Sequence, residues 1–308
     1  MTDVHPFMTT AEDGRTLIPG GSVYRPPSEH SSLLLQVSVG CSHNRCSYCA
    51  MYLGKSFAIR SHAEVEALVE HYAKLPPAPS GRVFLCDGDA LILPQRRLVA
   101  ILKLIGARLP WVTRVCCYGD TRSVLRKSVA ELTVLRELGL GMIYHGVETG
   151  DEQSMAAIVK GATRAEVIET AARLRQAGIA HSVIVLLGIG GVAGSARHAQ
   201  ETASLLTAID PPFVGALTVT PVPGTPLHAA WTAGEFVLPA KFALLAELRT
   251  ILAEARFSHC RFSSNHASNY LPLRGVLPAD QPAMVAALDH VIAAGDERLL
   301  KPERLRGL

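Results

Sequence analysis

Short apolar runs and longer amphipathic runs alternate along the chain. Residues 33–39, 83–86, 112–118, 142–147, 182–187 and 214–220 are rich in Val, Ile and Leu on consecutive positions. A strand covered on both faces reads this way, whereas a strand with one wet face alternates apolar and polar. Helical patterns fall between these runs. The clearest begins at Ser61, where Ser61-His62-Ala63-Glu64 has the form of a capping box. Val65, Leu68, Val69 and Tyr72 then share one face, and Pro76-Pro77 ends the run. Thr163-Arg164-Ala165-Glu166 opens a second helix in the same way, with Gly178 as its stop. Further helices are expected over 95–108, 123–138, 195–209 and 241–256.

Six strands alternating with helices demand right-handed parallel crossovers, giving an α/β fold that is either an open doubly wound sheet or a barrel. Six units are two short of a complete (β/α)8 barrel, and periodicity does not separate a partial barrel from an open sheet. In both, ligands gather where the carboxyl ends of the strands run into loops. Residues 1–31, with Gly20-Gly21 and Pro26-Pro27, read as an irregular lead-in, and residues 32–234 as the α/β body. Residues 235–308, two helical patterns and a loop over 263–278, read as a C-terminal helical and loop extension that closes it.

Composition changes this picture little. With 308 residues, 48% hydrophobic and 19% charged, the chain can bury a large core and has no disordered or collagen-like character. A formal charge of +3, scattered along the chain, gives no nucleic-acid or membrane signal. The longest nearly apolar stretch, residues 183–194, has twelve residues, four of them Gly, which is too short to span a bilayer. The opening MTDVHPFMTTAEDGR lacks the apolar core of a signal peptide, so a soluble cytoplasmic protein is expected.

The seven cysteines matter more. Cys41, Cys46 and Cys49 fall within nine residues directly after the first strand, whereas Cys86, Cys116, Cys117 and Cys260 are dispersed. An odd count with a tight triplet and no secretion signal favours metal binding over a disulfide framework. Three thiolates on one loop can each bind one iron of a cubane cluster. The fourth iron then has no protein ligand, which is the open position a catalytic cluster needs. Zinc held by Cys41, Cys46, Cys49 and His43 is the other reading of the same spacing. The dispersed cysteines read as small core residues, since an auxiliary cluster would need ligand spacing that they lack.

The segment Cys41-Ser42-His43-Asn44-Arg45-Cys46-Ser47-Tyr48-Cys49 resembles the signature of the radical S-adenosylmethionine (SAM) enzymes. That signature is Cys-x3-Cys-x2-Cys with an aromatic before the last cysteine, here Tyr48; the first spacer of this chain is one residue longer. The resemblance runs from Tyr24-Arg25-Pro26-Pro27 to about Pro278 and is closest to the group related to oxygen-independent coproporphyrinogen III oxidase. It implies a partial (β/α)6 TIM-type barrel, a [4Fe–4S] cluster on Cys41, Cys46 and Cys49, and SAM on the open iron. It also implies reductive cleavage of SAM to methionine and a 5′-deoxyadenosyl radical that abstracts hydrogen from a small-molecule substrate. The electron would come from an external donor of flavodoxin or ferredoxin type.

Motifs at later strand ends take roles through the same resemblance. Gly88 and Asp89 stand where the family contacts the methionine amino group: glycine permits close backbone approach and a carboxylate accepts from the ammonium. An ordinary Asp-Gly turn explains the same residues. Glu148 matches a polar residue that holds the ribose hydroxyls or the amino acid part, and Lys160 a basic residue for the SAM carboxylate. A solvated lysine at a helix end is the alternative for Lys160. Strand alternation puts Tyr144, Gly146 and Glu148 on one face and His145 on the other, so His145 is expected beneath a helix. Leu187-Gly188-Ile189 resembles the segment whose backbone edges the adenine, and Pro223-Gly224-Thr225-Pro226 a rigid loop beside the cavity. Gly188, Gly190 and Ala193 nearly repeat a dinucleotide motif, but at the fifth unit rather than the first.

Ser264-Asn265-His266-Ala267-Ser268-Asn269-Tyr270 reads as a polar, substrate-facing loop or as a hydrogen-bonded turn. Cys117 or Tyr118, at the end of the third strand, could donate a hydrogen atom to a substrate radical. The substrate is not legible, and methyl transfer, oxidative decarboxylation and rearrangement all stay open. An iron–sulfur sensor without turnover and a zinc-stabilised binding protein are the readings from other classes.

Overall fold

Each expected apolar run forms a strand. In a computed structural model describing residues 9–10, 16–18 and 21–307, these are β1 (Leu33–Gln36), β2 (Arg82–Cys86), β3 (Arg114–Tyr118), β4 (Leu140–Glu148), β5 (Ala180–Leu187) and β6 (Phe213–Thr218). Two further strands of the main sheet were not expected, β7 (Cys260–Ser263) and β8 (Arg274–Leu277); nor were the very short strands Thr9–Thr10, Thr16–Ile18 and Gly21–Ser22, which form a small antiparallel sheet in the expected irregular lead-in, or Ala58–Ile59. Strands β7 and β8 pair antiparallel, Cys260 opposite Leu277, so much of the expected loop over 263–278 is sheet. The described residues thus carry eight main strands in mostly parallel sheet, an α/β arrangement.

The chain divides into two compact units. One holds the described residues up to Asn44 together with 51–144 and 173–179; the other holds 45–50, 145–172 and 180–307. In the first, β1 to β4 are parallel neighbours in chain order, with Leu33 opposite Val83 and Tyr118 opposite Tyr144. Leu35, Leu85, Val115 and Ile143 from these strands pack with Leu98, Ile101 and Leu102 of α2 (Gln95–Arg108) and with Leu132 and Leu135 of a later helix. In the second unit β5, β6 and β7 are parallel in that order, and β8 closes the edge. There Val183, Val185 and Leu187 pack under Leu205, Leu206 and Ile209 of α7 (Gly191–Ile209). Leu244, Leu248 and Ile251 of α9 (Lys241–Glu254) complete that core.

The helix-start signals act as their chemistry requires. Ser61 accepts from the Glu64 amide and Glu64 returns to the Ser61 amide, opening α1 (His62–Tyr72). Thr163 and Glu166 exchange the same pair of bonds ahead of α6 (Arg164–Gln176), and Gly178, at φ +71°, lets the chain leave it. The run over 123–138 is two helices, not one: α3 (Thr121–Leu125) and α4 (Val129–Glu137). Ser128 and Glu131 form a further capping box that restarts the helix. Helix α5 (Glu152–Ala157) follows β4, α7 starts a turn earlier than expected, and α8 (Pro226–Thr232) and α10 (Gln281–Ala294) complete the set. Among the described residues no helix is long and apolar enough to cross a membrane.

The turn after β4 meets α7 backbone to backbone. A Cβ on Gly150 would lie 2.1 Å from the Glu201 carbonyl oxygen and 2.8 Å from the Thr202 Cα. Neither atom belongs to a flexible side chain, so relief requires moving the helix. Gly150→Ala is therefore expected to lower stability by about 3 kcal/mol, the upper end of ordinary overpacking; chemical denaturation checks this, and an unchanged midpoint contradicts it.

Candidate active site

The cysteine segment leaves the first unit through Gly40, whose φ of +73° turns the chain. The Gly40 amide donates to Asp87 Oδ2 at 3.1 Å, the Lys55 ammonium reaches the same oxygen at 3.0 Å, and the Asp87 amide donates to Ser38 Oγ at 3.1 Å. The Gly88 amide returns to the Gly40 carbonyl at 3.1 Å. A Cβ on Gly88 would sit 2.4 Å from the Tyr52 ring and 3.0 Å from the Cys41 Cβ, so only glycine fits behind the first cysteine. Asp89 is fully buried and accepts from the Ser42 and Ser123 hydroxyls and, at 3.3 Å, from the Asp120 amide. Burial, then the nearby Asp120 charge, pushes its carboxyl up to about 7.

Asp120 caps α3 through the Ser123 amide at 2.7 Å and receives two bonds from the Arg122 guanidinium, at 2.6 and 3.2 Å. Burial alone would raise its carboxyl, but Arg122 and Ser123 more than offset that and hold it below its ordinary value. Sequence reasoning missed Ser42, Asp120, Arg122 and Ser123 as part of this constellation. The Asp120-Thr121-Arg122-Ser123 pattern is an N-cap signature that could have located it.

In the second unit, residues 45–50 are anchored by the Ser47 amide on the Ile158 carbonyl at 2.9 Å and by the Leu227 amide on the Ser47 carbonyl at 2.8 Å. Tyr48 packs on the cluster of Ile158, Ile189 and Leu227. Its hydroxyl donates to Glu148 Oε1 at 2.8 Å, and Lys160 Nζ donates to the same oxygen at 3.2 Å. Burial and the Glu148 charge keep the Tyr48 phenol well above its ordinary pKa, so it stays a donor. Glu148 holds φ +69°, a left-handed conformation that is strained for a residue with a side chain. A Cβ on Gly146 would be 2.1 Å from Glu148 Oε1 and 3.3 Å from Lys160 Nζ, so glycine makes room for the pair. With its side chain 13% exposed and ion-paired, Lys160 is not a solvated helix-end residue.

Cys41, Cys46 and Cys49 form no disulfide and are of intermediate exposure. Burial raises the Cys41 thiol above its ordinary pKa. Among the described residues no group of three or more His, Cys, Asp or Glu side chains is placed to hold a metal ion. The donor chemistry fits an iron–sulfur cluster: three soft thiols outside any disulfide lie on one segment, the first of them beside a position where only glycine fits.

The remaining expectations divide. Cys117 is fully buried in the core that packs α2 and α4, and burial raises its thiol well above its ordinary pKa. The next residue, Tyr118, faces the other way, edge-on to Phe84 (ring centroids 5.1 Å apart) and Tyr144 (6.3 Å). The hydrogen-donor role expected of either residue can therefore be kept only for Tyr118. His145 is buried and stacked on His181, with Nδ1 and Nε2 3.1 Å apart. Cys86, Cys116 and Cys260 are core residues. The polar loop 264–270 is a hydrogen-bonded turn with Ser264, Ser268 and Asn269 buried and Asn265 and Ala267 exposed: Asn269 donates to the Ala216 and Ser264 carbonyls at 2.7 and 2.8 Å, and Ser268 Oγ accepts from the Thr218 amide at 3.0 Å.

Residues 35–200 match the model of the radical SAM superfamily, and the chain belongs to that superfamily, whose enzymes use a [4Fe–4S] cluster and SAM. Solved structures agree on the fold. The radical S-adenosylmethionine methyltransferase TsrM from Kitasatospora setae, with cobalamin and a [4Fe–4S] cluster bound, matches at 16% identity and TM-score 0.53, covering 91% of this chain and 62% of that one. Methylornithine synthase (PylB) matches at 18% and 0.52 over 73% of this chain and 63% of that one. Coproporphyrinogen III oxidase (HemN) from Escherichia coli matches at 15% and 0.51 over 72% and 51%. At these identities the likeness shows the fold alone, an α/β fold whose strands form a partial TIM-type barrel in this superfamily. The chain spans less than two thirds of the length of each of these three proteins. No curated protein matches it in sequence. Neither the zinc reading nor the sensor reading gains support.

Behind Gly188 lies a second buried carboxylate, Glu247, pushed up to about 7 by burial, with His198 beside it pushed down to about 4, also by burial. Native Glu247 keeps a proton that the unfolded chain loses above its ordinary value, so this group stabilises at low pH and loses that contribution as pH rises toward 7. His198 does the reverse, and the two oppose each other through the mildly acidic range. In Glu247→Gln only the His198 contribution remains. The stability gap between wild type and the variant is expected to widen in favour of wild type from pH 7 to pH 5, by up to about 1.4 kcal/mol per unit. Urea melts across that range measure it, and a constant gap contradicts it.

Proposed function

We propose that this chain cleaves SAM reductively and directs the resulting radical at a small-molecule substrate, drawing its electron from an external flavodoxin- or ferredoxin-type donor in the reducing cytoplasm. The observation that carries the reading is the Tyr48–Glu148–Lys160 constellation. The aromatic next to the last cysteine is hydrogen-bonded to the carboxylate that ends β4, and a lysine ammonium shares the same oxygen. When bound, the cluster and SAM supply one-electron cleavage of the sulfonium C–S bond, giving methionine and a 5′-deoxyadenosyl radical.

Cys41, Cys46 and Cys49 would hold the cluster. With the Cys41 thiol raised by burial, loading releases its proton to solvent. The Gly88 backbone and Asp89 would face the methionine amino group, where a carboxylate pushed up to about 7 takes up or gives up charge with little cost. Lys160 would turn from Glu148 to the SAM carboxylate, freeing Glu148 to accept from the ribose hydroxyls. Leu187, Gly188 and Ile189 would edge the adenine, with Ile189 and Tyr48 sharing one apolar cluster that excludes water. Tyr118 would be the candidate hydrogen donor.

Anaerobically reconstituted protein is expected to bind about four iron per chain. With dithionite and SAM it should release 5′-deoxyadenosine, and Cys46→Ala should abolish that release. A wild-type protein with a full cluster and no cleavage contradicts the proposal. Lys160→Ala should keep its iron yet weaken SAM binding about tenfold, read by equilibrium dialysis; an unchanged Kd removes Lys160 from the SAM site.

A further inference from the structure

Glu247 is the one acidic residue on the buried face of α9, which otherwise presents Leu244, Leu245, Leu248, Ile251 and Leu252. It is 2% exposed. Its Oε2 accepts from the Gly188 amide at 2.6 Å and its Oε1 from the Ser195 hydroxyl at 2.6 Å. Among the described residues no Lys or Arg forms an ion pair with it. The nearest titratable group is His198, whose Nε2 is 3.8 Å away, too far for a hydrogen bond, and has no partner of its own. The other ring nitrogen of His198 is 2.8 Å from Thr149 Oγ1, in the turn directly after Glu148. Burying an unbalanced carboxyl is costly, and leucine at this helix position would only extend the core.

The same helix also constrains Gly188 sterically. At φ +81°, a Cβ there would lie 2.7 Å from Leu244 Cδ2. Residues just before α9 cover the following turn: the Val192 amide donates to the Val237 carbonyl at 2.8 Å, and the Phe236 ring would be 3.1 Å from a Cβ on Gly191. All of these contacts come from beyond the residues matched to the superfamily.

We infer that Glu247 is a positioning residue for SAM: it fixes the backbone of Leu187-Gly188-Ile189 from behind, and through the Ser195 hydroxyl it ties that segment to the first turns of α7. This rests on the proposed role of 187–189 as the adenine edge. An amide held by a carboxylate, rather than by water or a neighbouring strand, leaves the segment's other edge free for a ligand and removes the freedom that binding would otherwise have to take away.

The test uses full-length, anaerobically reconstituted protein. Two quantities are read: hydrogen exchange of the peptide covering 186–190, and the Kd for SAM. Glu247→Ala is expected to speed exchange of that peptide at least tenfold and to raise the Kd about tenfold, with iron content unchanged. Glu247→Gln, which keeps one acceptor oxygen, is expected to stay within about threefold of wild type on both readouts. An alanine variant that binds SAM as tightly as wild type overturns the inference, as does a glutamine variant as impaired as alanine. If Glu247→Ala fails to fold, Glu247→Asp decides: its shorter reach should loosen the peptide and the affinity together, and a wild-type Kd overturns the inference. Wild-type protein that binds SAM without slowing exchange at 186–190 refutes the role of the segment itself. Slowed exchange in wild type and Glu247→Ala alike, at equal affinity, refutes only the role of Glu247.

Discussion

A parallel strand that reaches its carboxyl end runs out of backbone partners, and several candidate functional residues of this chain, among them Gly88, Asp89, Glu148 and Gly188, sit where that deficit is met. For one residue the ladder is extended by neighbouring strands: the Val37 amide on the Cys86 carbonyl at 2.8 Å, the Gly119 amide on Tyr144 at 3.1 Å, the Val219 amide on Leu187 at 2.9 Å. Beyond that point side chains take over. Ser38 receives the Asp87 amide, Asp87 the Gly40 amide, and Glu247 the Gly188 amide. Buried backbone groups must be paired, so polar and ionisable side chains gather at these ends before any ligand is considered.

The buried carboxylates differ in how they are compensated, and the difference separates scaffold from site. Glu29 is fully buried but lies 3.5 and 3.3 Å from the Arg82 and Arg114 guanidinium groups and accepts from the Tyr144 hydroxyl at 2.6 Å. That is a buried carboxylate balanced by two guanidinium groups. Asp87 has Lys55. Asp89 is held by hydroxyls and an amide, with a second carboxylate nearby, and Glu148 shares its one cation with a phenol on the cysteine segment. Under the proposed function, these last two are the carboxylates that would exchange partners when SAM binds.

The sequence exposes the strands and the capped helices because their signals are local. Val, Ile and Leu runs mark buried parallel strands, and Ser61 and Thr163 mark helix starts within four residues. The break in 123–138 was readable in the same way, from Ser128-x-x-Glu131, but an apolar periodicity running through it concealed the restart. Strands β7 and β8 are four residues each, too short for periodicity to declare itself. The candidate site offers a sequence signal where glycine or cysteine carries a motif, at Cys41, Cys46, Cys49, Gly88 and Gly188. It was not legible where a residue acts across the fold. Asp120 meets Asp89 thirty-one positions away, and Glu247 meets Gly188 fifty-nine away. The one local clue for Glu247, a lone carboxylate on an apolar helix face, says that something buried needs an acceptor without saying what.

The central claim, that this fold carries a cubane with one iron left for SAM, is tested most directly by Mössbauer spectroscopy of protein reconstituted with enriched iron. The account predicts that adding SAM shifts the signal of about a quarter of the iron, the share of one site in four, and leaves the rest unchanged. A spectrum indifferent to SAM, or protein that takes up zinc in place of iron under the same conditions, would contradict it.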